Sequence, residues 1–174
     1  IELYNTTGST VNIGGSFLSD NMNNPGKWRI PAGTSIPANG YRVFWCDGRD
    51  EVSGGQYHTN FKLNQTKMNE EVVLSDPDTV IINNIPLGLT QLGHSWCRSV
   101  NGGSTWVIDI TPTPGASNGN SGQRTGYAEK PEVNVLGGFY NNAIGVQLTN
   151  APANATVRYT LNGTLPTNSS PVCP

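Results

Sequence analysis

Glycine, proline or asparagine interrupts almost every stretch of this chain before apolar residues can recur at i, i+3, i+4 and i+7, so no segment keeps the period of an amphipathic helix. Period-two alternation is frequent instead. Ile1-Glu2-Leu3-Tyr4 reads as a strand, Val11-Asn12-Ile13 and Phe17-Leu18-Ser19 flank Gly14-Gly15, and Lys27-Trp28-Arg29-Ile30 stops at Pro31. In Tyr41-Arg42-Val43-Phe44-Trp45 the alternation sets Tyr41, Val43 and Trp45 on one face and Arg42 on the other, which predicts Val43 and Trp45 in the core. Residues 58–63 and Glu71–Ser75 read as further strands. Asp76-Pro77-Asp78-Thr79 supplies turn chemistry before Val80-Ile81-Ile82 and so predicts a hairpin, with the aspartates bonding backbone two residues on. Ser95-Trp96-Cys97 and Trp106-Val107-Ile108 flank Asn101-Gly102-Gly103-Ser104 in the same manner. About nine short strands thus precede Pro112, a pattern that closes as two packed sheets or a barrel.

At Thr111 the character changes. Thr-Pro-Thr-Pro-Gly leads into a glycine- and serine-rich run with little apolar to bury, read as a linker over residues 119–130 between a domain at 1–118 and a second β unit at 131–174. In that second unit, Val133-Asn-Val135, Val146-Gln-Leu148 and Val157-Arg-Tyr159-Thr-Leu161 alternate, the last ending at Asn162-Gly163.

Charged residues are 13% of the 174, the net charge is -2, and Lys27, Arg29, Arg42 and Arg49 stand singly rather than in a stripe, so nucleic acid is not an expected partner. No apolar run approaches the roughly 18 residues of a membrane span, and no charged-then-apolar leader opens the sequence, so any export signal is expected outside it. Cys46, Cys97 and Cys173 admit two readings: a Cys46 to Cys97 bridge, since both flank aromatic strand residues, or isolated small thiols, the commoner state. Asn-X-Ser/Thr triplets at Asn5, Asn64, Asn154, Asn162 and Asn168 arise by chance in a chain so rich in asparagine.

The residues offer little for catalysis. There is no Gly-X-Ser-X-Gly, and His58 and His94 sit at strand starts, where a bond from the ring to nearby backbone accounts for His58. Glu70 and Glu71 are adjacent, so on a strand they point apart and cannot act as an acid and base pair. Zinc spacing is lacking. Calcium would need loop oxygens, which Asp47-Gly-Arg-Asp50-Glu51 and Asp20-Asn21-Met-Asn23-Asn24 supply loosely, against solvated turns as their ordinary role. No cofactor is implied. Among aromatics, Tyr57 and Tyr140, beside loop glycines, are candidates for an exposed binding face. Trp28 and Trp96 are weaker ones, because tryptophans in alternating strands usually pack inside a sandwich.

Residues 1 to about 118 resemble the lamin-tail domain, an immunoglobulin-like module. The motifs that carry the resemblance, in order, are Ile1-Glu-Leu-Tyr-Asn5, Phe17-Leu-Ser-Asp20, Lys27-Trp-Arg-Ile-Pro-Ala-Gly-Thr34, Ile36-Pro37 with Gly40-Tyr41, and Trp45-Cys-Asp-Gly48. They continue with His58-Thr-Asn-Phe-Lys-Leu63, Glu71-Val-Val-Leu74 with Asp76-Pro77, and Trp106 followed by Thr111-Pro-Thr-Pro-Gly115. Family members usually carry a strand before the segment that opens this chain, so the resemblance implies a missing first strand. Residues 131–174 resemble the front half of the chitobiase C-terminal β-sandwich, through Gly137-Gly-Phe-Tyr140, Val146-Gln-Leu-Thr149 and Val157-Arg-Tyr-Thr-Leu-Asn-Gly163. The two resemblances together imply an all-β, immunoglobulin-like sandwich followed by a truncated second one. They imply a bacterial, secreted or cell-surface setting and a non-catalytic interaction or spacer role toward a protein or glycan. The alternative is a carbohydrate-binding accessory module of a larger extracellular hydrolase. Open strand edges near Ile1 and Val157 would then favour self-association.

Overall fold

A computed structural model describes residues 1–119 and 122–173; residues 120 and 121, within the expected linker, and Pro174 lie outside the described residues. The chain divides into two units, Ile1–Thr125 and Gly126–Pro174. No helix occurs among the described residues, as the broken periodicity requires.

Among its described residues the first unit contains thirteen short strands: β1 (Glu2–Tyr4), β2 (Val11–Asn12), β3 (Phe17–Ser19), β4 (Trp28–Arg29), β5 (Ser35–Ile36), β6 (Tyr41–Trp45), β7 (Glu51–Ser53), β8 (Gln56–His58), β9 (Glu71–Ser75), β10 (Ile81–Pro86), β11 (Ser95–Arg98), β12 (Trp106–Asp109) and β13 (Gln123–Arg124). They form sheets of order β1-β6-β8-β7, β10-β9-β3-β4 and β11-β12-β13, with β2 paired to β5. All pairs are antiparallel except β6 with β8, which run parallel with Phe44 opposite Tyr57 and Trp45 opposite His58.

The first two sheets supply one core. Leu18 and Trp28 come from one, Phe44 from the other, and Ile30 and Phe61 close it from the loops, with Leu3, Ile13, Tyr57 and Leu74 packed around them. Burying each such side chain is worth about 1.5–3 kcal/mol. Two sheets over one apolar core define an immunoglobulin-like β-sandwich.

Turn chemistry sets the connections. Gly54 and Gly55 join β7 to β8 with φ of 59° and 77°, the pair of positive φ values that a two-residue hairpin loop matched to strand twist demands. This hairpin was not anticipated, and it moves Tyr57 from the expected loop into β8. Of the anticipated 58–63 stretch only His58, the last residue of β8, lies in a strand, with Lys62 making a single bridge to Asp47. The Asp76 turn behaves as expected: its Oδ1 accepts from the Asp78 amide at 3.0 Å and the Val80 amide at 2.8 Å, and β9 and β10 form the hairpin.

Three expectations are corrected. Val43 and Trp45 do not face the core: Phe44 is buried, Val43 is half-buried and Trp45 is 50% exposed. Both faces of β6 carry apolar side chains, so alternation could not choose between them. Phe44 takes the inner side by meeting Trp28 edge-on and Tyr57 at 5.5 Å, while Arg42, on the same face two residues earlier, sends Nη2 to the Ser35 carbonyl and lays its guanidinium over Tyr57. The expected linker is not wholly linker, because β13 within it pairs with β12 through Ile108 opposite Arg124 and Asp109 opposite Gln123. Cys46, Cys97 and Cys173 are all free, each half-buried, so no Cys46 to Cys97 bridge forms.

The second unit is held by antiparallel bridges, Val133 with Leu148 and Arg158 with Val172. Backbone bonds support them, from the Thr149 amide to the Glu132 carbonyl at 3.0 Å and from the Cys173 amide to the Val157 carbonyl at 2.8 Å. Val157 is thus engaged on one side. None of the unit's described residues is buried, and Leu136, Phe139, Leu161 and Leu165 are almost fully exposed.

Candidate functional site

Along the part of β6 that β8 leaves unpaired the chain forms a shallow concavity of about 270 Å³, lined by Tyr41, Arg42, Val43, Trp45, Gln56 and Tyr57 with Gly55 and Pro114. Three local features build it. The parallel start of β8 at Tyr57 leaves the N-terminal half of β6 without a neighbour on that side, and the Gly54-Gly55 turn keeps the space clear of side chains. Trp45 then contributes an indole that the core did not claim.

The concavity is mostly apolar with a few polar groups at its edges. Arg42 Nη2 donates to the Ser35 carbonyl at 2.8 Å, whereas Arg42 Nε is buried with no acceptor among the described residues. The Tyr41 hydroxyl accepts from Asn101 Nδ2 at 2.5 Å, and Tyr41 packs on Tyr4 with ring centroids 5.1 Å apart.

A charged network adjoins the concavity at the C-terminal end of β6. His58, buried opposite Trp45, holds the Asp47 carboxylate at 2.8 Å through Nδ1, and Arg49 donates to the same Asp47 oxygen at 2.7 Å while reaching Glu51 at 3.4 Å. Desolvation would raise the Asp47 carboxyl, but the hydrogen bonds from Arg49 and His58 hold it down at about 2. His58 is therefore satisfied by side chains and not by nearby backbone, as first read. Burial pushes the Cys46 thiol up, away from nucleophilic thiolate chemistry.

The candidates read from sequence are distributed unevenly. Tyr57 lines the concavity, half-buried between Phe44 and Arg42. Tyr140 is exposed in the second unit, its hydroxyl donating to the Leu136 carbonyl. Trp28 offers no binding face: it is 5% exposed, and its Nε1 donates to Asp50 at 3.0 Å. Trp96 is half-buried and stacks on Trp106 at 6.3 Å and 14°, with its ring so close over Gly88 that a Cβ there would lie 3.2 Å away.

The carboxylates read as loose calcium ligands do not converge. Asp47 and Glu51 turn to Arg49, Asp50 turns inward to the Trp28 indole, and the described residues contain no group of three or more His, Cys, Asp or Glu able to hold a metal. The Asp20 loop is likewise committed, with Asp20 paired to Lys27 at 2.6 Å. Sequence reasoning missed Trp45, Val43, Gln56 and Pro114. Arg42 was the available signal, since a cation on one face left either outcome open for its neighbours.

Sandwich and face together define a β-sandwich module of immunoglobulin type. The family model of the Lamin Tail Domain matches residues 1–88, β1 through β10, and the chain belongs to that family. The chitobiase/beta-hexosaminidase C-terminal domain matches residues 135–172 in the second unit, and neither match is to a catalytic family. Searches of curated proteins and of solved structures returned no significant match.

Proposed function

We propose that the chain is a non-catalytic interaction module of a secreted or cell-surface bacterial protein, and that it binds through the Trp45 face. The observation that carries this reading is a half-exposed indole in an apolar concavity whose neighbouring ionisable groups are tied into pairs. At about 270 Å³ the concavity falls just below the roughly 300 Å³ at which pockets begin to enclose a small-molecule substrate, a size that favours surface contact over turnover. Asp47 and His58 already bond each other and Arg49, so neither is poised as a general base. The domain at 1–118, the connecting segment and the second β unit at 131–174 act in this reading as successive modules of one polypeptide.

A second reading takes the ligand to be a glycan, as an accessory module of an extracellular hydrolase would require. It is favoured by the indole standing beside the Gln56 amide, because a sugar stacks its C–H face on an aromatic ring while an amide reads its hydroxyls. Tyr140 is the corresponding candidate in the second unit.

Glycan arrays and immobilised-protein capture with the full chain, each repeated with Trp45→Ala, test both readings. Capture of a specific partner that Trp45→Ala loses by about tenfold or more supports the interaction module. Array binding lost in the same variant selects the glycan. Turnover of a glycan, ester or nucleotide substrate by the purified chain would refute both.

A further inference from the structure

A sheet edge presents unpaired backbone amides and carbonyls, and proteins commonly blunt such edges with charge. In this chain β1 carries Glu2, β7 Glu51, β4 Arg29, β11 Arg98 and β13 Arg124, each at the margin of its sheet, while the uncharged margin strands β2 and β5 are only two residues long. The edge strand β10 does not follow that pattern. It is the longest strand among the described residues, pairs only with β9, and reads Ile-Ile-Asn-Asn-Ile-Pro without one charged side chain. Ile82 is 60% exposed, and Val80 and Ile81 are exposed beside it.

We infer that β10 is an association edge and that its occupant is β10 of a second copy of this chain, paired antiparallel about a two-fold axis. Charge decides the occupant. In an isologous contact the strand meets its own sequence, so charges near the axis would face like charges; β10 has none. Centring the pairing on Asn83 sets Asp78 opposite Gly88, so the turn aspartates meet uncharged chain as well. Pro86 has no amide to donate, which confines the pairing to Ile81 through Ile85. The register shift between Ile81 and Asn83 adds twist and, with Pro86, blunts the edge in part, so the dimer dissociates on dilution. The contact lies on the sheet that does not carry the Trp45 face and does not depend on what that face binds.

Sedimentation velocity of the full chain over a concentration series tests the inference. Wild type dimerises reversibly; Ile82→Lys and Asn83→Lys each raise the dissociation constant by about tenfold or more while the unfolding midpoint stays near wild type. Mixing Ile82→Lys with Ile82→Asp restores association, because opposite charges then meet near the axis. Hydrogen exchange in the dimer slows at the β10 amides. A wild type that stays monomeric to about 1 mM overturns the inference and leaves the edge to a strand of another protein. A dimer indifferent to both lysine variants overturns it too.

Discussion

Phe44 meets the indole of Trp28 edge-on, with ring centroids 6.0 Å apart at 74°, and this contact between the two sheets turns the next residue, Trp45, out to solvent. One strand thereby supplies both a core anchor and the aromatic centre of the candidate face, on opposite sides of the sheet.

The two residues should therefore respond differently to truncation. Phe44→Ala removes a side chain that is 1% exposed and leaves a cavity between the sheets, costing about 3–5 kcal/mol. Trp45→Ala costs about 0.5 kcal/mol, as for an exposed site. Urea denaturation of both variants checks the assignment, and equal losses would place Trp45 in the core after all.

Asn5 is the polar counterpart of Phe44. It is buried, and its Nδ2 donates to the carbonyls of Ser9 at 2.7 Å, Ile36 at 3.1 Å and Pro37 at 2.9 Å, while Oδ1 accepts from the Thr7 amide at 2.9 Å. Asn5→Ala leaves those groups unpaired at a cost of about 1–3 kcal/mol. Asn5→Asp is worse, since a carboxylate would face three carbonyl oxygens, and its destabilisation should shrink as the pH is lowered and the carboxyl takes up a proton. Thermal melts of the two variants at pH 7 and pH 4 separate these effects.

For Asp47 the sign of the pH dependence follows from its depressed pKa. The folded state holds the carboxyl at about 2 against a reference of 3.8, so the stabilisation it provides is fully present above about pH 4 and is lost as the pH falls toward 2. An NMR titration of the Asp47 carboxyl should show its midpoint near 2. In Arg49→Gln, which removes the paired cation, the midpoint moves upward.

Thiol chemistry provides a fourth check. With all three cysteines free, a reducing agent leaves the melting temperature unchanged, and three thiols titrate in denaturant. In the folded chain burial holds the Cys46 and Cys97 thiols above their ordinary pKa, so at pH 8 both alkylate more slowly than a free cysteine. Rapid alkylation of Cys46 in the native state would contradict the packing around it.

Much of the first unit could be read from short-range signals. The Asp76 turn, the β9 to β10 hairpin and the β11 to β12 pair depend on residues close in sequence, where turn chemistry and alternation act directly. The β7 to β8 hairpin escaped notice although Gly54-Gly55 is a hairpin signal, because the strands it joins are only three residues long. The candidate face was less accessible. Tyr57 was legible and Trp45 was not, while Trp28, only a weak candidate, packs inside as strand tryptophans usually do, and Asp47, Asp50 and Glu51 have partners distant in space or on the same loop.

The sequence by itself determined that this chain builds sheets rather than helices, where most of its turns fall, and that its first part has the form of a lamin-tail sandwich. The first two follow from local sterics and from the spacing of apolar residues, the third from the resemblance of its ordered motifs to that family. Only the tertiary structure decided which face of β6 turned inward, that Asp50 caps an indole, and that β10 was left uncharged at an edge. Each depends on what lies opposite across a sheet, and two faces of one strand that are both apolar are equivalent until a second sheet packs against one of them.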